Sequence, residues 1–434
     1  MIDQSPMSRL QIVAVVLTVV LNALDGFDVL SISFASPGIA HDWGVGKAAL
    51  GRVLSMELIG MMIGSVFLGG LADKIGRRPT ILACLCVMVA GMVLASGAYG
   101  LTDLSAWRLL TGLGIGGMLA ATNAAAAEFS NARRRGPCLA MMAIGFPLGG
   151  VIGGKIVAVL LHGSDWRQVF VFGAVATAAL LPLVWFLMPE TVTFLAQKRP
   201  PDALSKINRV LTRMGRQSVA ALPTSHADGP LATLRDLAKP PYLVLSLVLV
   251  LGYFAHMVSF YFLLKWAPKI AVDVMGATAS AAADVLVWAN AGGVIGGALF
   301  GLLTMRLGLK SLTIGAMLAS SVMIVVYGLG QSSLGLMSLV AFATHFCTEA
   351  GVVGLYSLAA RSYPAELRST GTGLMIGLGR GGAALSPILV GWLFQQHYSL
   401  LLVSMIVAAC ALTGAGVLTF LRPVSWVTAP AADA

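Results

Sequence analysis

Asp25 and Asp28 stand three residues apart in Leu24-Asp25-Gly26-Phe27-Asp28-Val29, inside the first long apolar run of a 434-residue chain. On a helix, an i, i+3 pair shares one face. An ionised carboxylate in hydrocarbon costs about 2.5–3.5 kcal/mol on insertion scales, so acids at such depth usually face a protein-lined cavity and mark a route for ions, protons or substrate. Desolvation favours the protonated acid and a nearby cation favours the ionised one. A carboxyl that alternates between the two environments can take a proton on one side and release it on the other. Two close acids also disfavour simultaneous ionisation, which couples their titration. The competing reading is a capping or packing role at a kink near Gly26.

Other polar side chains fall within apolar runs. Arg380 offers a two-pronged donor matched to a carboxylate, and either binds a substrate, pairs with the acids of the first run or reaches the headgroup region. Arg108 is the other in-span arginine. Lys155 either lines a cavity or snorkels outward. Glu57, and His345 with Glu349 at i, i+4, add further candidates. Tyr253, His256, Phe260, Tyr261 and Phe262 supply aromatic surface that either stacks on a ring or packs as a membrane belt.

The elements that must carry these residues follow from composition. Only 11% of residues are charged and 58% are hydrophobic, where a soluble domain carries about 25% charged residues. The class is an all-α membrane protein. Apolar runs bounded by charge or Gly/Pro breaks predict twelve spans: 10–37, 47–71, 79–99, 103–129, 137–161 and 165–188, then 241–268, 278–303, 311–330, 333–360, 369–394 and 399–421. This gives a six-helix half over 1–188, a linker over 189–240 and a second six-helix half over 241–434. Within the linker, Lys198 to Arg216 reads as a short interfacial amphipathic helix.

The net charge of +10 is positional. Twenty of the 28 Lys and Arg residues lie at the ends or in five alternate loops: Lys74, Arg77 and Arg78; Arg133 to Arg135; Lys198 through Lys239; Arg306 and Lys310; Arg361 and Arg368. This positive-inside pattern predicts cytoplasmic termini and argues against a nucleic-acid partner. The N-terminal apolar run is too long for the h-region of a cleavable signal. Cys84, Cys86, Cys138, Cys347 and Cys410 lack metal or redox spacing and read as buried small residues. No metal and no cofactor are expected.

Internal repetition supports two halves. Gly145, Gly149 and Gly150 recur as Gly377, Gly381 and Gly382 at a constant offset of 232. The loop after the second span reads Gly69-Gly70-Leu71-Ala72-Asp73-Lys74-Ile75-Gly76-Arg77-Arg78-Pro79. It resembles the Gly-x-Leu-Ala-Asp-(Arg/Lys)-x-Gly-Arg-(Arg/Lys) signature of the major facilitator superfamily. Arg108 to Gly117 resembles the fourth-helix Arg-x-x-x-Gly-x-Gly-x-Gly pattern of that family, and Met188-Pro189-Glu190-Thr191 its exit from helix 6. Physically, Gly70 would allow close helix approach, Asp73 would meet a helix N-terminus, and Arg77 and Arg78, set off by Gly76, would pair with an acid such as Glu128. The equivalent loop of the second half, Met305 to Lys310, lacks the acid.

Within that family, Asp25-Gly26-Phe27-Asp28 resembles the aromatic acid:proton symporters, as do Tyr363-Pro364-Ala365-Glu366-Leu367-Arg368 and Gly377-Leu378-Gly379-Arg380-Gly381. Phe262-Leu263-Leu264-Lys265-Trp266-Ala267-Pro268 resembles their seventh-helix exit, with Lys265 and Ala267 as departures. The resemblance implies a major facilitator fold in a bacterial inner membrane, acting as a monomer. It implies import of a small aromatic carboxylate with protons by alternating access, driven by the proton gradient. Asp25, Asp28 and Arg108 would couple protons, with an interhelical hydrogen bond as the other role for Arg108. Arg380, Asp28, Glu349, His345, Tyr253 and Tyr261 would line the substrate site. Alternatives are another organic acid, muconate-like or shikimate-like, an exporter, or a non-transporting sensor. An enzyme is disfavoured, since the alternating glycines from Gly112 lie in a span and not after a soluble strand.

Overall fold

A computed structural model describes residues 5–162, 165–222, 234–240 and 242–421. The middle of the linker, 223–233, part of the loop after the fifth span, 163–164, and Arg422 lie outside the described residues, as do the side chains of Ala365, Glu366 and Ser369. Among the described residues there are sixteen helices and no strand. Twelve are long and apolar enough to cross a membrane: α1 (Arg9–Trp43), α2 (Lys47–Phe67), α3 (Arg77–Ser96), α4 (Leu101–Phe129), α5 (Arg135–Leu160), α6 (Arg167–Leu187), α7 (Tyr242–Met275), α8 (Ala279–Leu303), α9 (Leu309–Gly328), α10 (Leu334–Ser362), α11 (Ala365–Gln395) and α12 (Leu400–Thr419). Lipid offers no partner for a bare peptide group, so a spanning segment must satisfy its backbone internally, as a helix does. The chain is a multi-pass membrane protein.

Helix ends carry their own signals. Ser8 and Gln11 form a reciprocal capping box at the start of α1. That helix does not stop at Pro37, as expected, but runs on to Trp43 and ends at Gly44 in the left-handed region, φ 58°. Pro37 cannot donate to the carbonyl four residues back, that of Ser33. The Ser36 hydroxyl donates to that same carbonyl at 2.8 Å, so the acceptor is satisfied and the helix continues. Likewise α7 continues through Pro268 to Met275. Beyond α2, a short helix (Gly69–Ile75) follows a break at Leu68.

Two compact units group by contact, Met1–Ala227 with Leu264–Ala291, and Asp228–Leu263 with Gly292–Ala434. In the first, α2 and α4 meet through glycines. A Cβ on Gly60 or Gly64 would strike the carbonyls of Leu109 and Leu113, and one on Gly112 or Gly116 those of Glu57 and Met61. This reciprocal small-xxx-small packing lets backbones touch where lipid provides no hydrophobic drive. In the second unit, Gly292 and Gly296 on α8 meet the Phe342 and Phe346 carbonyls of α10 in the same way. They follow Gly60 and Gly64 at an offset of 232, the offset that already separates Gly145 from Gly377. Gly26 proves to be a contact glycine and no helix break: α1 is continuous there, and a Cβ would meet the Phe146 carbonyl of α5.

In the linker, the amphipathic stretch folds as a helix over Ala203–Arg213. Its apolar residues Ile207 and Leu211 are covered by Phe194 and Leu195 from a helix over Val192–Lys198, so its apolar face packs on protein. Of the cysteines, Cys84 and Cys138 are buried, but Cys86 is exposed and Cys347 and Cys410 are partly so.

The glycine seam is testable. Gly112→Leu forces a side chain into the Glu57 backbone and should cost about 1–3 kcal/mol or more. Gly301→Leu, at a position with open space, should leave unfolding in detergent unchanged. Equal stability of both variants would contradict the contact.

Candidate functional site

In the first unit, four ionisable side chains gather inside the spans. Glu57 (α2), Arg108 (α4), Asp28 (α1) and Lys265 (α7) are each fully buried. The Glu57 carboxylate lies between two cations. One oxygen pairs with Arg108 Nη2, and the other lies 3.3 Å from Lys265 Nζ. Each cation also holds a main-chain carbonyl of α1: Arg108 Nη2 donates to Asp28 O at 2.7 Å, and Lys265 Nζ to Val29 O at 2.5 Å. Arg108 Nη1 reaches Met92 Sδ at 3.3 Å, and its guanidinium sits 5.4 Å from the Phe170 ring centre.

The acid paired with Arg108 is therefore Glu57. Among the described residues, Asp28 Oδ2 has only the Thr177 hydroxyl at 3.5 Å, and Asp28 Oδ1 has no hydrogen bond. Asp28 is thus bonded to Arg108 through its backbone, while its carboxyl has no ion pair among the described residues. Asp25 is buried on the same helix. Lys155 neither lines this cluster nor stands alone; it is about half exposed and pairs with Asp284 at 2.5 Å.

The second unit collects the aromatic candidates. The hydroxyls of Tyr253 (α7) and Tyr356 (α10) are 3.0 Å apart. Gly379, the neighbour of Arg380 on α11, lies against the Tyr253 ring, and Glu349 lies on α10 seven residues before Tyr356. Tyr261 packs edge-on against Phe260, whose ring centre is 5.0 Å from that of His345. His345 Nδ1 is 3.1 Å from Thr348 Oγ1, and its Nε2 faces Glu349 at 3.9 Å. The expected i, i+4 pair is thus an approach and no hydrogen bond. His256 Nε2 donates to the Thr348 carbonyl at 2.8 Å. A cation, two phenols, an imidazole and a carboxyl are thus carried by three helices of this unit, α7, α10 and α11.

The basic loop after α2 forms a third cluster in the first unit. Arg77 Nη1 donates to Asp73 Oδ1 and to the Ala72 carbonyl at 2.8 and 2.7 Å, and Nη2 to Glu128 Oε1 at 2.8 Å. The expected pairing with Glu128 is present. The expected role of Asp73 is not: it is largely exposed and meets Arg77, while Glu190 occupies the N-terminus of α3. Glu190 accepts the N–H groups of Arg77, Arg78 and Thr191 at 3.0, 3.2 and 2.9 Å. Burial pushes its carboxyl above the usual range, against the lowering effect of those three N–H donors. Gly76 is required here because its φ of 111° disfavours any side chain and a Cβ would strike Glu190. Arg78 donates to the Trp185 carbonyl at 2.6 Å and lies over its ring. Gly70 takes no part in close packing; a Cβ there would meet nothing within 4 Å.

Lys265, Glu190 and Tyr356 were not among the expected site residues. A lysine deep in a span was the available signal for the first, and the Pro-Glu-Thr exit for the second. Tyr356 lies 103 residues from Tyr253 and carried no local signal.

A family model described as Major Facilitator Superfamily matches residues 18–295. A gallate transporter of Pseudomonas putida is 30% identical over 400 residues, 90% of this chain and 87% of its own length. A 4-hydroxybenzoate transporter of the same organism is 31% identical over 419 residues, 93% of this chain and 92% of its own. The xylose transporter of E. coli matches in fold, with a TM-score of 0.73 at 16% identity over 96% of this chain and 98% of that one.

Glu57→Gln would leave Arg108 and Lys265 facing each other without their shared anion. Unfolding in detergent should show a loss of about 3–5 kcal/mol, and adding Lys265→Met should recover part of it. A double variant no more stable than Glu57→Gln would remove the shared-anion account.

Proposed function

This chain belongs to the major facilitator superfamily, and from that premise we propose that it imports an aromatic carboxylate of the benzoate or hydroxybenzoate class together with protons. The observation that carries the proposal is its similarity, at about 30% identity over nearly its whole length, to transporters of gallate and 4-hydroxybenzoate. The chemistry of the two clusters supports it. Arg380 would grip the carboxylate through its fork. Tyr253 and Tyr261 would face the ring, and His345 and Glu349 would read its hydroxyl groups. Asp28, the buried acid outside the Glu57 ion pairs, would carry the proton, with Asp25 beside it and Arg108 holding the local backbone.

The protein would sit in a bacterial cytoplasmic membrane as a monomer. Its basic loops orient it with both termini in the cytoplasm, and residues 189–240 serve as a cytoplasmic linker between six-helix halves. Arg77, Glu128 and Glu190 would form a latch at that face. The energy source is the proton gradient, without a cofactor.

Uptake of radiolabelled 4-hydroxybenzoate and gallate into cells, with and without an uncoupler, tests the proposal. Accumulation should collapse with the gradient; accumulation that survives unchanged would refute symport. Asp28→Asn should retain exchange of labelled for unlabelled acid while losing net accumulation. Arg380→Lys keeps charge but loses the fork, and should raise KM about tenfold, the equivalent of about 1.4 kcal/mol. Unchanged KM would leave Arg380 out of the substrate site.

A further inference from the structure

Within the second unit, α8, α9 and α10 leave between them an apolar groove of about 460 Å³. Gly296 and Leu303 line it from α8, Gly315 and Ala319 from α9, and Phe346 and Ala350 from α10. Gly315 of α9 does not serve helix contact there. A Cβ on Gly315 would meet nothing within 4 Å, whereas Gly296 lies against the Phe346 carbonyl. The lining runs along α9 from Gly308 to Ala319, about 16 Å at 1.5 Å per residue. That is about half of a 30 Å hydrocarbon core, the depth of a single leaflet.

The charge at one end of the groove has a definite sign. Its lining includes Leu307 and Gly308 of the α8–α9 loop, which also carries Arg306. The Arg306 side chain is exposed and has neither an ion pair nor a hydrogen bond among the described residues. Lys310 lies at the same end, its ammonium bonded to the Thr419 and Leu421 carbonyls at 2.8 and 2.7 Å. The sequence holds no acidic residue between Asp284 and Glu349. An apolar slot one leaflet deep, with an uncompensated guanidinium beside its mouth, is complementary to one molecular class.

We propose that this groove binds an anionic phospholipid, with one acyl chain between α8, α9 and α10 and the phosphate on Arg306. The acyl chain supplies the dispersion contacts that the groove lining lacks, and the guanidinium meets the phosphate in a two-pronged hydrogen bond. None of the residues lining it belongs to the Arg380 or Asp28 clusters, and its occupancy does not depend on which acid is carried.

The full-length protein, purified from mixed phosphatidylglycerol and phosphatidylethanolamine nanodiscs, should retain one phosphatidylglycerol in native mass spectra. Arg306→Gln should reduce the preference for phosphatidylglycerol about fivefold, since one basic residue near a membrane surface contributes about 1 kcal/mol. Gly315→Leu and Ala319→Phe should each lower retention of both lipids about tenfold, with melting temperature unchanged, because a few buried methylenes at about 0.8 kcal/mol each supply that factor. Equal retention by the wild type and both filled variants would overturn the proposal. So would wild-type binding without preference for the anionic lipid, or a second copy of the chain in place of lipid.

Discussion

Placing charge where water is excluded governs the interior of the first unit. Each ion taken out of water costs several kcal/mol even after the protein relaxes, and is tolerated only when its partners meet it closely and its remaining donors are satisfied. Glu57 meets this condition with one cation on each oxygen. Arg108 and Lys265 meet it by sharing that acid and by donating to consecutive carbonyls, Asp28 and Val29. The result is a tied group in which two cations share one carboxylate. Asp28 contributes its main chain to the arrangement while its carboxyl stays outside it. Glu57 and Asp28 thus acquire opposite characters: the Glu57 carboxylate is fixed by two ion pairs, and the Asp28 carboxyl meets only the Thr177 hydroxyl among the described residues.

At the basic-loop end of the same unit, a second set of charges works under different rules. Asp73 is exposed, and a lone surface pair of this kind contributes about 0–1 kcal/mol. Arg77 is buried against Glu128 and against the Ala72 carbonyl, where geometry counts for more. Glu190 joins them by capping the start of α3 from the far side of α6. The signature glycine at position 76 is explained by its backbone, since the turn that offers the Arg77 and Arg78 N–H groups to Glu190 needs a positive φ.

Most of the fold was legible because a membrane span announces itself by length and hydropathy, and the twelve expected segments correspond to twelve helices. Their ends were less so. Pro37 and Pro268 read as stops, yet α1 and α7 pass through them, and the Ser36 hydroxyl that satisfies the orphan Ser33 carbonyl is a tertiary-scale detail of one turn. Candidate residues could be picked out as polar groups in apolar runs, which found Asp28, Arg108, Glu57 and Arg380. Their pairing could not, because spacing along one helix says nothing of which neighbour it meets. Arg108 reaches Glu57 across 51 residues and Lys265 reaches it across 208. Gly70 was misread for the same reason: a glycine in a signature does not reveal whether any backbone comes near it.

The glycine seam between α2 and α4 bears on the motion available to the charges. Glu57 and Arg108 ride on helices whose backbones touch at four points, with carbonyls seated where side chains would be. Neither helix can slide along the other by a fraction of a turn without driving a Cα into a carbonyl. The two charges therefore behave as one rigid body, like teeth on meshed racks. The backbone of α1, which holds Arg108 and Lys265 through the Asp28 and Val29 carbonyls, is locked in the same way to α5, with Gly26 against the Phe146 carbonyl and Gly149 of α5 against that of Ala23.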